Sequence, residues 1–268
     1  MTIGALNWEE RTQAAFNRPR EPFVNNLSPD IMIEVFHLHA AMALPTAYHP
    51  NGPQRPWIDV THVCQYWRAV ALSSPGLWTH VSSYSHPELA RLSLARSGNA
   101  LLQVDYPGPF NHSLEPVLSE ALSQSARVRS LQLSDHPHLQ NVLDTLEDGR
   151  NLEVLSLADY RWKAPELPKK FLAGVAPRLT FLRLVGITTR WDDLPLNVGL
   201  THLTIRGTPA SIRPTIGTLT RSLAQLPHLQ YLELFDFLPH TKKNPIAHPS
   251  VNMNPILSLP QLQQVYLQ

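Results

Sequence analysis

The sequence predicts a mixed chain, α+β with an α/β second part: a small helical module, then an irregular repeat solenoid on a curved parallel sheet. Three observations predict it. A Leu-x-x-Leu-x-Leu pattern recurs seven times after residue 100. Helical periodicity falls between several of those copies, so strands and helices alternate. Before the repeats lie two apolar helical stretches separated by a Pro-rich segment.

Residues 1–22 read as a flexible or weakly helical lead. Leu27-Ser28-Pro29-Asp30 reads as a helix start. Ser28 suits the cap, Pro29 the first helical position, and Asp30 the positive end of the helix dipole. Ile31, Met32, Val35 and Phe36 then recur at helical spacing, which predicts one apolar side. A Pro-rich insert over 45–57 carries Pro45, Pro50, Pro53 and Pro56. Val60, Val63, Cys64, Trp67, Val70 and Ala71 step by three and four, which predicts a second amphipathic helix with Cys64 on its apolar face. Ser73-Ser-Pro-Gly76 breaks it. So few short helices enclose little core and need a neighbour to cover their apolar side. Leu77-Trp78-Thr-His-Val81 is expected as an atypical first strand, and Ser85–Gly98, with Leu89, Leu92, Leu94 and Ala95, as the helix joining the two modules.

The repeat copies start at Leu101, Val128, Leu152, Leu179, Leu200, Leu229 and Leu262. The intervals are 27, 24, 27, 21, 29 and 33 residues, mostly within the leucine-rich-repeat range of about 20–29. In each copy the fourth and sixth positions are apolar and point the same way along a strand. Leu114, Val117, Leu118, Ala121 and Leu122 predict one intervening helix, Val142, Leu143 and Leu146 another, and Ile216, Leu219, Leu223 and Leu226 a third. One strand and one helix cannot bury their own apolar sides, but stacked neighbours do so jointly. The asparagine that usually follows the strand is replaced by His136, Tyr160 and Ile187 in three copies, which predicts uneven curvature. The chain stops at Gln268, one residue past the last apolar strand position. A solenoid needs a polar terminal cap and an open strand invites pairing, so either further chain or a local shield is expected there.

Residues between the buried leucines face the concave side. Early copies offer small polar groups: Ser130, Gln132 and Ser134, then Val154, Ser156 and Ala158. Later copies offer Phe181, Arg183, Arg206, Tyr231, Phe235 and Tyr266, beside Val185, His202, Thr204, Glu233 and Gln264. Aromatic and Arg side chains are the types that anchor protein interfaces. Phe181, Arg183, Arg206, Tyr231, Phe235 and Tyr266 are therefore expected to bind a target protein. The competing reading is that a C-terminal segment or loop of this chain covers those aromatics.

The "Leu-x-Pro-acid, apolar helix" at Leu27–Phe36, paired with Val63-Cys-Gln-Tyr-Trp-Arg-Ala-Val-Ala71, resembles the F-box over about residues 23–80. One departure is Ser28-Pro29 where Pro-Pro is more common; the insert is another. With repeats over about 85–268, the chain is similar to F-box and leucine-rich-repeat proteins, especially the large variable set of mushroom-type fungi. The resemblance implies a substrate receptor of a Skp–cullin–F-box ubiquitin ligase. Leu27, Pro29, Ile31, Ile33, Val63, Cys64 and Trp67 would then bind the Skp-type adaptor, and through it a cullin. The alternative is a repeat scaffold acting outside ubiquitin transfer.

Composition narrows the rest. Charged residues are 16% and the formal net charge is +1, with no basic face to support nucleic-acid binding. The 43% apolar content is enough for a substantial core, and 25 prolines against 11 glycines predict stiff turns between short elements. A lone cysteine rules out a disulfide within the chain and fits a reducing compartment, cytoplasmic or nuclear. The first residues lack a secretory pattern, and no run reaches membrane-spanning length. His37, His39, His49 and His62 do not match zinc-ligand spacing, and His136, His138 and His240 read as solvated turn residues. Asp192-Asp193 reads as a turn, Cys64 as buried and unactivated, and no phosphate loop or Gly-x-Ser-x-Gly is present, so no enzyme, cofactor or metal is expected.

Overall fold

The computed structural model describes residues 27–42, 56–82, 86–106, 112–161, 164–174, 176–209, 212–236 and 259–267. The 1–22 lead, the insert up to residue 55, His49 and His240 lie outside them. The chain divides into two compact units, Met1–Leu77 and Trp78–Gln268.

The first unit is helical. Helix α1 spans Pro29–Met42, with Pro29 in the first helical position. The Met32 N–H donates to the Ser28 carbonyl at 3.1 Å, closing the first turn. A short α2, Pro56–Asp59, takes up the last residues of the expected insert. A 3-10 turn over Val60–His62 follows, then α3 over Gln65–Leu72. The single helix expected from Val60 to Ala71 is thus interrupted. Cys64 is extended (φ −156°, ψ 174°) and caps α3, its sulfur accepting the Trp67 N–H at 3.5 Å. It is partly exposed rather than set in an apolar helix face. The Thr61 carbonyl freed by the break accepts the Arg68 Nε–H at 2.7 Å, so the interruption leaves that group satisfied. Met32 and Phe36 are fully buried, and Trp67 packs on Phe36 with ring centroids 5.3 Å apart.

The second unit is an eight-stranded, all-parallel curved sheet whose strands lie in sequence order. They are β1 (His80–Ser82), β2 (Leu102–Tyr106), β3 (Val128–Ser134), β4 (Val154–Ala158), β5 (Phe181–Val185), β6 (His202–Arg206), β7 (Tyr231–Phe235) and β8 (Gln264–Leu267). The sequence order means each strand pairs only with its neighbours in the chain, as a solenoid requires. Helices α4 (Pro87–Arg96), α5 (Glu115–Leu122), α6 (Leu139–Thr145) and α7 (Ile216–Leu223) stand in four of the connections. Between β4 and β5, and again between β5 and β6, the described residues form 3-10 turns, at Phe171–Gly174 and Trp191–Asp193, and the two connections are joined by a parallel bridge between Glu166 and Thr188.

The fourth and sixth positions of the repeat build the core. Leu131 and Leu133, Leu155 and Leu157, Leu182 and Leu184, Leu203 and Ile205, and Leu232 and Leu234 are all buried. The helices contribute Leu114, Val117, Leu118, Ala121, Leu139, Leu143 and Leu223. Two helix faces differ from expectation. In α4 it is Ala90, Ser93 and Leu94 that turn inward, while Leu92 and Ala95 are exposed, because the buried stripe is rotated from the leucine count. Ile216, at the first turn of α7, is 49% exposed, since the inward stripe begins only at Leu219.

Past β3, β4, β5 and β6 the ladder continues by one residue. Asp135 donates to Ala158 O (2.8 Å), Asp159 to Val185 O (2.9 Å), Gly186 to Arg206 O (2.9 Å) and Gly207 to Phe235 O (3.2 Å). The chain turns sharply here: φ is +51° at Asp135 and +65° at Gly186. Gly186 is required twice over, because a Cβ would lie 1.8 Å from the Asp159 carbonyl oxygen. Of the residues replacing the usual asparagine, Ile187 and His136 are buried and Tyr160 is 65% exposed. In the Tyr160 copy the preceding Asp159 turns in instead. His136 is therefore not the solvated residue that its Pro-rich surroundings suggested. Two asparagines do tie neighbouring repeats together, but on the approach to the strands. Asn151 Nδ2 donates to Ala126 O (2.7 Å), and Asn197 Nδ2 to Ala176 O (2.9 Å) and Leu179 O (2.8 Å).

Candidate interaction surfaces

In the helical unit the seven residues singled out for adaptor binding do different things. Pro29 is exposed and Leu27 is partly exposed, its carbonyl accepting the Tyr66 hydroxyl at 2.7 Å. Ile31 is 51% exposed and Val63 58%. Ile33 is partly buried and lies about 200° around α1 from Ile31, so the two do not share a face. Cys64 is the α3 cap and Trp67 the partner of Phe36. What the sequence reading grouped as one apolar side is two adjacent stripes. Met32 and Phe36 point in; Ile31, Val35 (42% exposed) and Leu38 (63% exposed) point out. Leu38 was missed, although its place seven residues after Ile31 on a 3.6-residue helix was readable. Spacing alone could not say which of two neighbouring stripes the unit would bury.

On the sheet, the residues expected on the concave side alternate with the core leucines, although Ala158, Val185, Thr204 and Glu233 among them are buried, and strand register sorts them into rows. One row runs Val154, Phe181, His202, Tyr231 and Gln264; the next runs Ser156, Arg183, Thr204, Glu233 and Tyr266; a third runs Ala158, Val185, Arg206 and Phe235. Phe181 and His202 stack at 5.5 Å (30° between planes), and His202 and Tyr231 at 5.9 Å (18°). Tyr266 leans onto Tyr231 at 5.7 Å. These four rings form a continuous aromatic row across four strands. His202 was recognised as facing this side but not as part of the row; it occupies the same third position of its copy as Phe181 and Tyr231, so the sequence did carry that signal. Phe235 is 37% exposed at the far end of its strand.

The two arginines differ. Arg206 Nη2 is ion-paired with Glu233 Oε1, and the Tyr231 hydroxyl donates to Glu233 Oε2 at 3.1 Å. Burial, then the Glu233 contact, pushes the Tyr231 phenol above its ordinary range. Arg183 has no carboxylate partner among the described residues; its Nη2 donates to the Tyr160 hydroxyl at 3.1 Å. The reading in which a C-terminal segment covers the aromatics concerns chiefly residues 237–258, outside the described residues.

At the strand ends a second polar cluster forms. His136 Nε2 lies 3.1 Å from Glu115 Oε2, and its Nδ1 accepts the His138 N–H at 3.2 Å. Asp159, its side chain fully buried, is ion-paired with Arg161 at 2.5 Å, and Arg161 also donates to the His136 carbonyl at 2.6 Å. Burial pushes the Asp159 carboxyl up, but the Arg161 side-chain and backbone hydrogen bonds outweigh it and hold it below the usual range. Pro137, Gln140, Asp159, Arg161, Ala164, Pro165 and Glu166 line a shallow cavity of about 720 Å³ beside this cluster. Of the charged residues in its lining, Asp159 and Arg161 are ion-paired with each other. Among the described residues no three His, Cys, Asp or Glu side chains are grouped to hold a metal ion, and no helix is long and apolar enough to cross a membrane.

No family model matches the chain, and no curated protein or solved structure matches it. The reading of its function therefore rests on these surfaces.

Proposed function

We propose that this chain is the substrate-recognition subunit of a Skp–cullin–F-box ubiquitin ligase. In this reading its helical unit is an F-box that binds a Skp-type adaptor, and its sheet unit is a leucine-rich-repeat receptor that holds a target protein. The observation that carries the reading is the outward stripe of Ile31, Val35 and Leu38 on α1. Three large aliphatic side chains aligned on one exposed face of so small a unit favour a protein partner that covers them. The open face of the sheet, with its aromatic row and Arg183, supplies a second surface suited to a different partner. Chemistry would occur on the catalytic subunits, and this chain would contribute proximity and orientation. It would act in the cytoplasm or nucleus, without cofactor, metal, membrane or nucleic acid.

A second reading, a repeat scaffold outside ubiquitin transfer, is favoured by the local roles of Cys64 and Trp67, both only partly exposed. Two residues that the F-box resemblance assigns to the adaptor serve here as the α3 cap and as a partly buried ring packed on Phe36. Co-purification with a Skp-type adaptor separates the readings. Wild type should retain the adaptor, and an Ile31→Glu, Leu38→Glu variant should lose it while its circular dichroism is unchanged. A well-folded wild type that fails to hold the adaptor leaves the scaffold reading in place.

A further inference from the structure

Resting on the receptor reading of the repeat face, we propose that the target segment is an extended peptide in which an apolar or aromatic residue lies two positions from an Asp or Glu. The carboxylate would sit on Arg183 and the Tyr160 hydroxyl, and the apolar side chain against Phe181 and its row.

Charge selects the anion. From β4 to β8 the strand residues of the open face carry three formal charges: Arg183, Arg206 and Glu233. Arg206 and Glu233 neutralise each other, and Tyr231 hydrogen-bonds to the same carboxylate. Among the described strand residues of this face, Arg183 is left as the cation without a carboxylate partner. Its register neighbours Ser156 and Thr204 are small, so neither crowds the guanidinium. The Tyr160 hydroxyl accepts from Arg183 Nη2 at 3.1 Å, which frees its own hydrogen to donate outward. Tyr160 is 65% exposed, so the pair is reachable. One guanidinium and one hydroxyl match a singly charged carboxylate, whereas a doubly charged phosphate would call for further cations.

Geometry sets the spacing. Phe181 and Arg183 are alternate residues of one strand on one face, about 7 Å apart along it. An extended peptide repeats its side chains on one side at the same interval. The row also biases the partner. Because His202 is stacked between Phe181 and Tyr231, both its faces are taken and its edge is what remains for a partner. Ring edges are the positive end of the aromatic quadrupole, which favours π faces and acceptors over cations.

The test is selection of a displayed random-peptide library on the full-length chain, followed by fluorescence polarisation of the best peptide. Wild type should enrich an apolar or aromatic residue two positions from Asp or Glu. Arg183→Gln, a change at a partly exposed site, should weaken that peptide by about tenfold or more, and added salt should weaken wild-type binding but not the variant's. Circular dichroism checks the fold, and Arg183→Lys should recover part of the affinity by restoring charge without the fork. No enrichment, a consensus lacking an acid, or equal binding by Arg183→Gln would overturn the inference. A phosphoserine version that binds about tenfold tighter than the glutamate peptide would overturn the carboxylate assignment. The selection needs no adaptor, so its failure beside intact adaptor co-purification sinks this inference alone, and loss of the adaptor beside a successful selection sinks only the ligase reading.

Discussion

His136 shows how much one residue can change its meaning between sequence and structure. Flanked by Asp135 and Pro137, it has the composition of an exposed turn, yet it is 1% exposed. The left-handed Asp135 turns the chain, and His136 beside it is buried. Its Nδ1 accepts the His138 N–H, so the proton sits on Nε2 and is donated to Glu115. Burial lowers its pKa, against the opposing pull of Glu115; His138 and Arg161 lower it further. The sign follows from linkage. A histidine with a folded pKa below its unfolded value of about 6.5 gives stability that is complete above that value and is lost as pH falls through the folded one. Urea denaturation at about pH 7.5 and pH 5.5 should therefore show wild type less stable at the lower pH, and His136→Asn should flatten that dependence. An unchanged slope in the variant would place the pH sensitivity elsewhere. At this scale the sequence was a poor guide, because burial of a polar residue depends on partners such as Glu115, twenty-one residues away.

At the scale of elements the repeat strands were legible almost throughout. The inward fourth and sixth positions and the outward third and fifth follow from the two-residue period of a strand, which no tertiary contact can alter without flipping the whole strand. Helices were less legible. In α1 two adjacent apolar stripes compete, and Met32 with Phe36 wins the interior because Trp67 comes from α3 to meet it. The break at Cys64 was invisible for a similar reason: periodicity runs through it, and only the extended Cys64 backbone and its sulfur cap end one segment and begin another. The last strand departs from the rule in another way. β8 is paired in register with β7, but Val265 is 47% and Leu267 54% exposed, whereas Leu232 and Leu234 beside them are buried. Register here supplies hydrogen bonds without a core. Leu234→Ala should thus cost about 2–5 kcal/mol, while Leu267→Ala should stay within about 0.5 kcal/mol. Equal losses in thermal denaturation would mean that β8 is covered in solution.

For the whole molecule, the functional reading is a division of labour between two compact units, each with its own exposed apolar surface. One carries an exposed aliphatic stripe; the other carries an aromatic row on a sheet with Arg183 in the row beside it. If the units act as separate receptors, the substitutions should be independent. Ile31→Glu with Leu38→Glu should abolish adaptor capture and leave peptide affinity unchanged, Arg183→Gln should do the reverse, and the combined variant should show the sum of the free-energy losses to within about 0.5 kcal/mol. Coupling beyond that would mean that the two binding events communicate.

The sequence by itself determined the parallel repeat architecture, the number and place of strands β2 to β8, and the identity of the residues on the open face. These follow from short-range geometry, a period of two along strands and a repeat of some 20–30 residues along the chain. Only the tertiary structure decided which helix stripe faces out, that Trp67 packs on Phe36 and Cys64 caps α3, that His136 and Asp159 are buried, and that among the described residues Arg206 has a carboxylate partner while Arg183 has none. Several of those outcomes depend on a partner distant in sequence, Glu115 for His136, Glu233 for Arg206 and Phe36 for Trp67. Burial and charge compensation are properties of pairs, and the pairs exist only once the chain has folded.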